Sequence, residues 1–306
     1  MDSRHTNQFL IALIICIAVF SAAMLVFLWP KKTDKVKVPQ PVPVATTTDE
    51  APVETKVHGV AIRSLGLSVE GRQIDSYTFG DGKTQIVFVG GIHGGYEWNS
   101  VLLGYELIDY LGQNPELIPK NLEITVIPSM NPDGVFKVTG KEGRFAAADV
   151  PAGANEAGRL NAHGVDLNRN FDCNWKAKAV WKNKPVSAGT AAFSEPESAA
   201  FKKFVLENNL TAVVFYHSQS NAIYGSQCNG DMLAETAKIM DVYSKASGYK
   251  TVATFDGYAV TGDVTDWLST IGKPAMTVEL ATHKTTEREK NLAGVKALFK
   301  YYENKK

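Results

Sequence analysis

The sequence predicts an α/β sandwich, with helices packed around a central sheet, and three observations carry that prediction. Four short runs, "QIVFVGGI" (85–92), "LEITVIPS" (122–129), "TAVVFYHS" (211–218) and "AMTVEL" (275–280), are nearly continuously apolar and bounded by turn residues. That is the signature of strands buried on both faces. Between them lie helical stripes: Phe201, Phe204 and Val205; Leu233, Ala237 and Met240; Leu292, Val295, Phe299 and Tyr302. Finally, the polar residues able to do chemistry fall at the ends of the apolar runs, where an open α/β sheet places its ligand crevice.

In chain order, residues 1–8 form a short polar tail. Residues 9–29, "FLIALIICIAVFSAAMLVFLW", hold no charge over 21 positions. A helix of that length spans a hydrocarbon core of ~30 Å. A single membrane anchor is therefore expected, with cleavage near Ser21–Ala23 and secretion as the alternative. Residues 30–57 are rich in Pro, Thr, Val and Lys and read as an extended linker. Lys31, Lys32, Lys35 and Lys37 follow the span while only Arg4 precedes it, which argues against export. The stalk-like linker argues the other way, and an extracytoplasmic domain is the expectation. The remainder, 58–306, reads as one domain without internal repeats. Within it, "SEPE" (194–197) marks a helix start, with Pro and acids in the first turn. The Gly-, Ala-, Asn- and Lys-rich region 137–194 reads as a long, mostly irregular and functional loop.

Composition narrows the partner. The chain carries 32 basic and 32 acidic residues among 306 and has no Arg/Lys block in its body. That balance argues against nucleic acid and for a peptide or small molecule. A monomer is expected. Cys173 and Cys228 are the two thiols outside the anchor, and one bridge or two free thiols fit them equally well.

The chemistry begins in "FVGGIHGGYEWNSVLL" (88–103), where His93 and Glu97 follow a strand and precede a helical pattern. Alone, Glu97 also reads as a first-turn acid favoured by the helix dipole, and His217 more often as a core histidine than as a ligand. Together with Glu279 at a further strand end, they read as a His₂Glu metal set beside a carboxylate base.

"NPDG" (131–134), "GVDLNRNFD" (164–172), "FYHSQS" (215–220) and "MTVEL" (276–280), in this order, resemble the carboxypeptidase A-like zinc carboxypeptidases over roughly residues 60–300. The resemblance implies a three-layer sandwich with a central mixed sheet flanked by helices. It implies one Zn²⁺ per domain on His93, Glu97 and His217. Glu279 would be the general base that takes a proton from the water held by the metal. Asn168 and Arg169 would clamp the free C-terminal carboxylate of a peptide substrate, as the guanidinium fork suits. Arg144, thirteen residues after Asn131, would polarise the scissile carbonyl, although Arg159 lies in the same loop. Tyr258 is similar to the mobile tyrosine that covers the terminal residue. Thr265, just before Asp266 and Trp267, would be the uncharged selector of that residue, with Asp256 and Asp263 the other acids nearby. The family usually spaces its first His and Glu by two residues; here Gly94, Gly95 and Tyr96 intervene. The expected activity is removal of a C-terminal residue, with cell-wall peptides among the substrates. An amidohydrolase of small acylated amino acids and an inactive peptide-binding module are the alternatives.

Overall fold

The structure is a computed structural model that describes residues 55–57, 59–154 and 156–305. The expected tail, the anchor at 9–29 and most of the expected linker lie outside the described residues. Among those described, no helix is long and apolar enough to cross a membrane.

The first described strand, β1 (Thr55–Val57), falls inside the stretch read as linker and pairs antiparallel with β2 (Val60–Leu67). There follow β3 (Gln73–Gly80), β4 (Thr84–Val89), helix α1 (Trp98–Gln113), β5 (Leu122–Ile127) and helix α2 (Pro132–Thr139). A hairpin of β6 (Lys178–Trp181) and β7 (Lys184–Ser187) precedes α3 (Pro196–Glu207) and β8 (Leu210–Ser218). The chain ends through β9 (Ala222–Gly225), α4 (Ala234–Ser247), β10 (Lys250–Val252), α5 (Val264–Thr270), β11 (Ala275–Leu280) and α6 (Arg288–Glu303).

Among the described residues, nine strands form one mixed sheet in the order β1-β2-β3-β5-β4-β8-β11-β9-β10. Its centre, β5-β4-β8-β11, is parallel. These four strands are the apolar runs of the sequence, and their alternation explains why the runs are continuous. Ile86 and Phe88 of β4 face one core with Val214 and Tyr216 of β8; Val87, Val89, Val213 and Phe215 face the other. The first core is closed by α1, α4 and α6, through residues such as Leu107, Tyr243 and Phe299. The second is closed by α3 and α5, through Phe201, Val205, Trp267 and Leu268. Helices on both faces satisfy a sheet that is apolar on both. At the start of α3, Glu195 is the N-cap residue and Pro196 opens the helix, as "SEPE" predicts.

The region 137–194 is not merely irregular. The β6–β7 hairpin lies in it, and the loop from Cys173 is tied to Cys228 by a disulfide whose Cα atoms are 6.0 Å apart. That bridge settles the alternative the two thiols left open.

Candidate active site

His93 follows the C-terminal end of β4, His217 lies near the end of β8, and Glu279 near the end of β11. Glu279 and His217 are register partners on adjacent parallel strands, so their side chains emerge on the same face side by side. Glu97 arrives by a different route. Residues Gly94–Glu97 form a single 3₁₀ turn, which absorbs the extra residue between His93 and Glu97. Gly94 has φ of 44°, and a Cβ there would sit 2.7 Å from the Gly158 carbonyl oxygen. Only glycine fits that turn. Tyr96 is carried to the rim of the site and the Glu97 carboxylate returns to the centre.

His93, Glu97 and His217 are buried and offer one donor atom each within 4.8 Å of one another. Glu97 Oε2 lies 3.1 Å from His217 Nδ1, and the two imidazoles cross at 68° with centroids 5.0 Å apart. Among the described residues, His93 Nδ1, Glu97 Oε2, His217 Nε2 and Glu279 Oε2 are buried without a well-formed hydrogen bond. Buried polar atoms left in that state are costly unless a cation or another partner satisfies them. Two nitrogens and a carboxylate oxygen are a ligand set for zinc at about 2.0–2.2 Å, so these residues fit the ion. Burial holds the His93 pKa well below the ordinary histidine value, helped by Arg159, so its imidazole is neutral and able to ligate. For His217 burial acts in the same direction, but the Glu97 carboxylate overrides it and raises the pKa. Burial, and the neighbouring Glu97 charge, push Glu279 up to about 7, with His217 and Arg159 pulling the other way.

These residues line a cavity of about 490 Å³ together with Arg159, Asn168, Arg169, Tyr258, Thr265 and Asp266. Arg169 is buried; its Nε donates to the Val180 carbonyl and Nη1 to that of Asn168, leaving the rest of the fork for a ligand. The Asn168 side chain is largely spent within the protein: its oxygen accepts from Val264 N–H and its nitrogen donates to Asp263. Tyr258 lies on the loop before α5, with its ring centroid 6.0 Å from the Arg169 guanidinium carbon. Gly262, in the same loop, has φ of 69°, and a Cβ there would lie 2.1 Å from the Arg169 carbonyl oxygen. Glycine is thus what lets this loop close on the LNRN segment. Thr265 lines the cavity, buried, with its hydroxyl donating to Asp263. Asp256 does not line the cavity, and Asp263 does but is engaged as the N-cap of α5. Asp266 lines it as well, and burial followed by the Asp263 charge pushes its carboxyl up to about 7.

Arg144 is a correction. It does not line the cavity; it forms a two-pronged pair with Asp109, at 3.0 and 2.8 Å, over the ring of Tyr105. Arg159 occupies the site instead. Its guanidinium donates to buried Asp166 at 2.9 and 3.2 Å, lies 3.8 Å from Glu97 and stacks 4.1 Å over Trp181. Counting thirteen residues from Asn131 fails because contacts with Asp166 and Trp181, and not spacing along the loop, decide which arginine reaches the site. Sequence reasoning also passed over Tyr96, Trp181, Lys182 and Gln227, which line the cavity, and His283, whose ring lies 4.7 Å from Tyr96. The one available signal was local: Trp181 and three of its neighbouring lysines alternate in "KAVWKNK" (178–184), a hairpin pattern.

The chain resembles known proteins in both sequence and fold. The chain is 24% identical over 242 residues to gamma-D-glutamyl-L-diamino acid endopeptidase 1 of Lysinibacillus sphaericus, covering 71% of this chain and 60% of that one. It is 29% identical over 247 residues to the uncharacterized protein YqgT of Bacillus subtilis, covering 72% of this chain. The chain spans 65% and 60% of the lengths of these two relatives. Among solved structures, murein-tripeptide amidase MpaA from Escherichia coli O157 superposes with a TM-score of 0.55 at 20% identity, over 78% of this chain and 91% of that one. Thrombin-activatable fibrinolysis inhibitor superposes at 0.65 and 19% identity, over 81% and 70%; both share the fold. The zinc carboxypeptidase family profile matches residues 53–294, well over half the sequence, and the chain belongs to that family.

Proposed function

We propose that this chain is a membrane-anchored zinc-dependent hydrolase that cleaves the amide bond before the C-terminal residue of a peptide, with cell-wall peptides as the substrate class. The observation that carries the reading is one cavity holding three convergent metal-ligating side chains, an unpaired carboxylate beside them, and a buried guanidinium at one end. His93, Glu97 and His217 would hold the ion. When bound, Zn²⁺ supplies Lewis-acid activation of water and of the scissile carbonyl. Glu279, with a carboxyl near neutrality, accepts the proton from the attacking water and returns it to the leaving amine. Arg159, held rigidly by Asp166 and Trp181, presents a fixed positive charge where the carbonyl oxygen gains negative charge. Arg169 binds the terminal carboxylate, Asn168 holds the Arg169 guanidinium through its backbone carbonyl and the start of α5 through its side chain, and Tyr258 covers the bound residue. Cell-wall peptides are supported by the activities named for two similar proteins, a gamma-D-glutamyl-L-diamino acid endopeptidase of Lysinibacillus sphaericus and a murein-tripeptide amidase of Escherichia coli O157. The charge-free span at 9–29 supports the anchor, and the Cys173–Cys228 bridge supports an oxidising, extracytoplasmic location.

Matched peptides with free and amidated C-termini test this reading. Amidation removes the charged partner of Arg169 and should lower kcat/KM roughly ten- to a hundredfold. Equal cleavage of the two would refute the carboxylate clamp and favour an amidohydrolase that does not read the terminus.

A further inference from the structure

The β6–β7 hairpin forms one wall of the cavity, and its residues contact the site in sequence. The Val180 carbonyl accepts from Arg169 at 3.2 Å, Trp181 lies under Arg159 at 4.1 Å and against Tyr96 at 5.3 Å, and Lys182 follows at the turn. Tyr96 in turn contacts His283 at 4.7 Å, and the Lys182 charge acts on His283. The wall therefore runs from the carboxylate clamp, past the guanidinium at the scissile carbonyl, to a lysine on the far side. Lys182 follows Trp181 at the turn, on the side of Arg159 away from the contact between Val180 and Arg169. That is the side where the acyl-donating residue of a peptide clamped at Arg169 would lie.

The charges are arranged along the same axis. The clamp end of the cavity holds the acids Asp263 and Asp266. At the other end, Lys182 lines the cavity, is exposed, and forms no ion pair with a carboxylate among the described residues, while neighbouring Lys184 is tied to Glu156 at 2.7 and 2.8 Å. Lys182 keeps φ of 55° at the turn, and its ammonium lies 4.7 Å from the centroid of the Trp181 ring. Glu97 and Glu279 also line the cavity, but both are committed to the metal centre.

We propose that Lys182 is a specificity-determining residue that reads a carboxylate on the acyl-side residue immediately before the scissile bond. This rests on the hydrolase reading above. Two linkages supply that chemistry: an α-linked glutamyl residue leaves its side-chain carboxylate free, and a γ-linked one leaves its α-carboxylate free. In both, the hydrolysed bond and its products are those of the parent reaction; the carboxylate is bound and not transformed.

The test compares four peptides that share one C-terminal residue: α-linked glutamyl and glutaminyl, and γ-linked glutamyl and isoglutaminyl. Each is measured with wild-type enzyme, Lys182→Gln and Lys182→Glu. An exposed pair of this kind should favour the carboxylate over its amide about two- to fivefold in kcat/KM. That ratio should fall to near unity in Lys182→Gln, drop below unity in Lys182→Glu, and shrink in high salt for the wild type. The linkage in which the ratio responds identifies the source of the carboxylate. Ratios that are the same in all three proteins for both linkages would overturn the proposal while leaving the hydrolase reading intact. No cleavage of any of the four peptides by zinc-loaded wild type would overturn that reading, and this proposal with it.

Discussion

Replacing Arg159 by glutamine removes a cation that contacts both buried Asp166 and Glu97. The Arg159 side chain is 4% exposed and Asp166 0%, so the substitution leaves a carboxylate with no water to compensate it. Breaking a buried pair this way costs about 3–5 kcal/mol, a fall in Tm of roughly 6–20 °C for a domain of this size. In the variant that still folds, losing a preorganised charge at the developing oxyanion should lower kcat by about 10²–10³. Arg144→Ala is the control. Its pair with Asp109 is 49% and 53% exposed, which places its contribution under about 1 kcal/mol, and activity should hold within about twofold. Thermal unfolding and steady-state kinetics on Arg159→Gln, Arg159→Lys and Arg144→Ala separate the two arginines. Lys restores the charge but not the two-pronged contact, so it should recover stability more than rate. A tenfold loss of kcat in Arg144→Ala, with Arg159→Gln retaining activity, would refute the assignment.

Glu279→Gln should retain zinc and bind peptide while kcat drops by about 10²–10⁴, because the amide cannot accept the proton; turnover near that of wild type would exclude Glu279 as the base. Asp266 gives a pH dependence of definite sign. Its carboxyl titrates near 7 in the folded protein, above the ordinary aspartate value, so the stabilisation from keeping it protonated is complete below that ordinary value and lost as pH rises through about 7. Asp266→Asn should therefore raise Tm over wild type more at about pH 8 than at about pH 4; an equal increment at both would be inconsistent with a buried, titrating carboxyl. Because Asp266 lines the pocket where Thr265 alone would be neutral, the ratio of kcat/KM for Lys-ending over Leu-ending peptides should climb between about pH 6 and about pH 8, and a flat ratio would remove Asp266 from the selectivity.

The centre of the sheet was legible because β4, β5, β8 and β11 are buried on both faces and so cannot hide their apolar character. The pair β2–β3 was not read as strands, since β2 is half-buried along almost its whole length and shows no strong pattern. In β3, Ile74, Ser76 and Phe79 are buried between more exposed neighbours, an alternation that polar Ser76 disguises. His93, Glu97, His217, Asn168 and Arg169 were findable because each sits at a strand end or in a short, distinctive motif. Arg159 was harder. Its place depends on Asp166, seven residues on, and on Trp181, which a hairpin brings back over it. No spacing rule within an irregular loop encodes that contact. The disulfide was likewise open, because a separation of 55 residues says nothing about proximity until the sheet is assembled.

The wider His93–Glu97 spacing makes Glu97 the point where the account is most exposed, and zinc content tests it most directly. Wild-type protein, stripped with chelator and reloaded, should bind about one zinc per chain. Glu97→Ala, like His217→Ala, should remain folded by circular dichroism yet bind far less than one at the same free zinc, since a catalytic zinc site needs its three protein ligands. Full, tight zinc occupancy in folded Glu97→Ala would contradict the ligand set, and a wild-type protein that binds no zinc would contradict the metal centre itself.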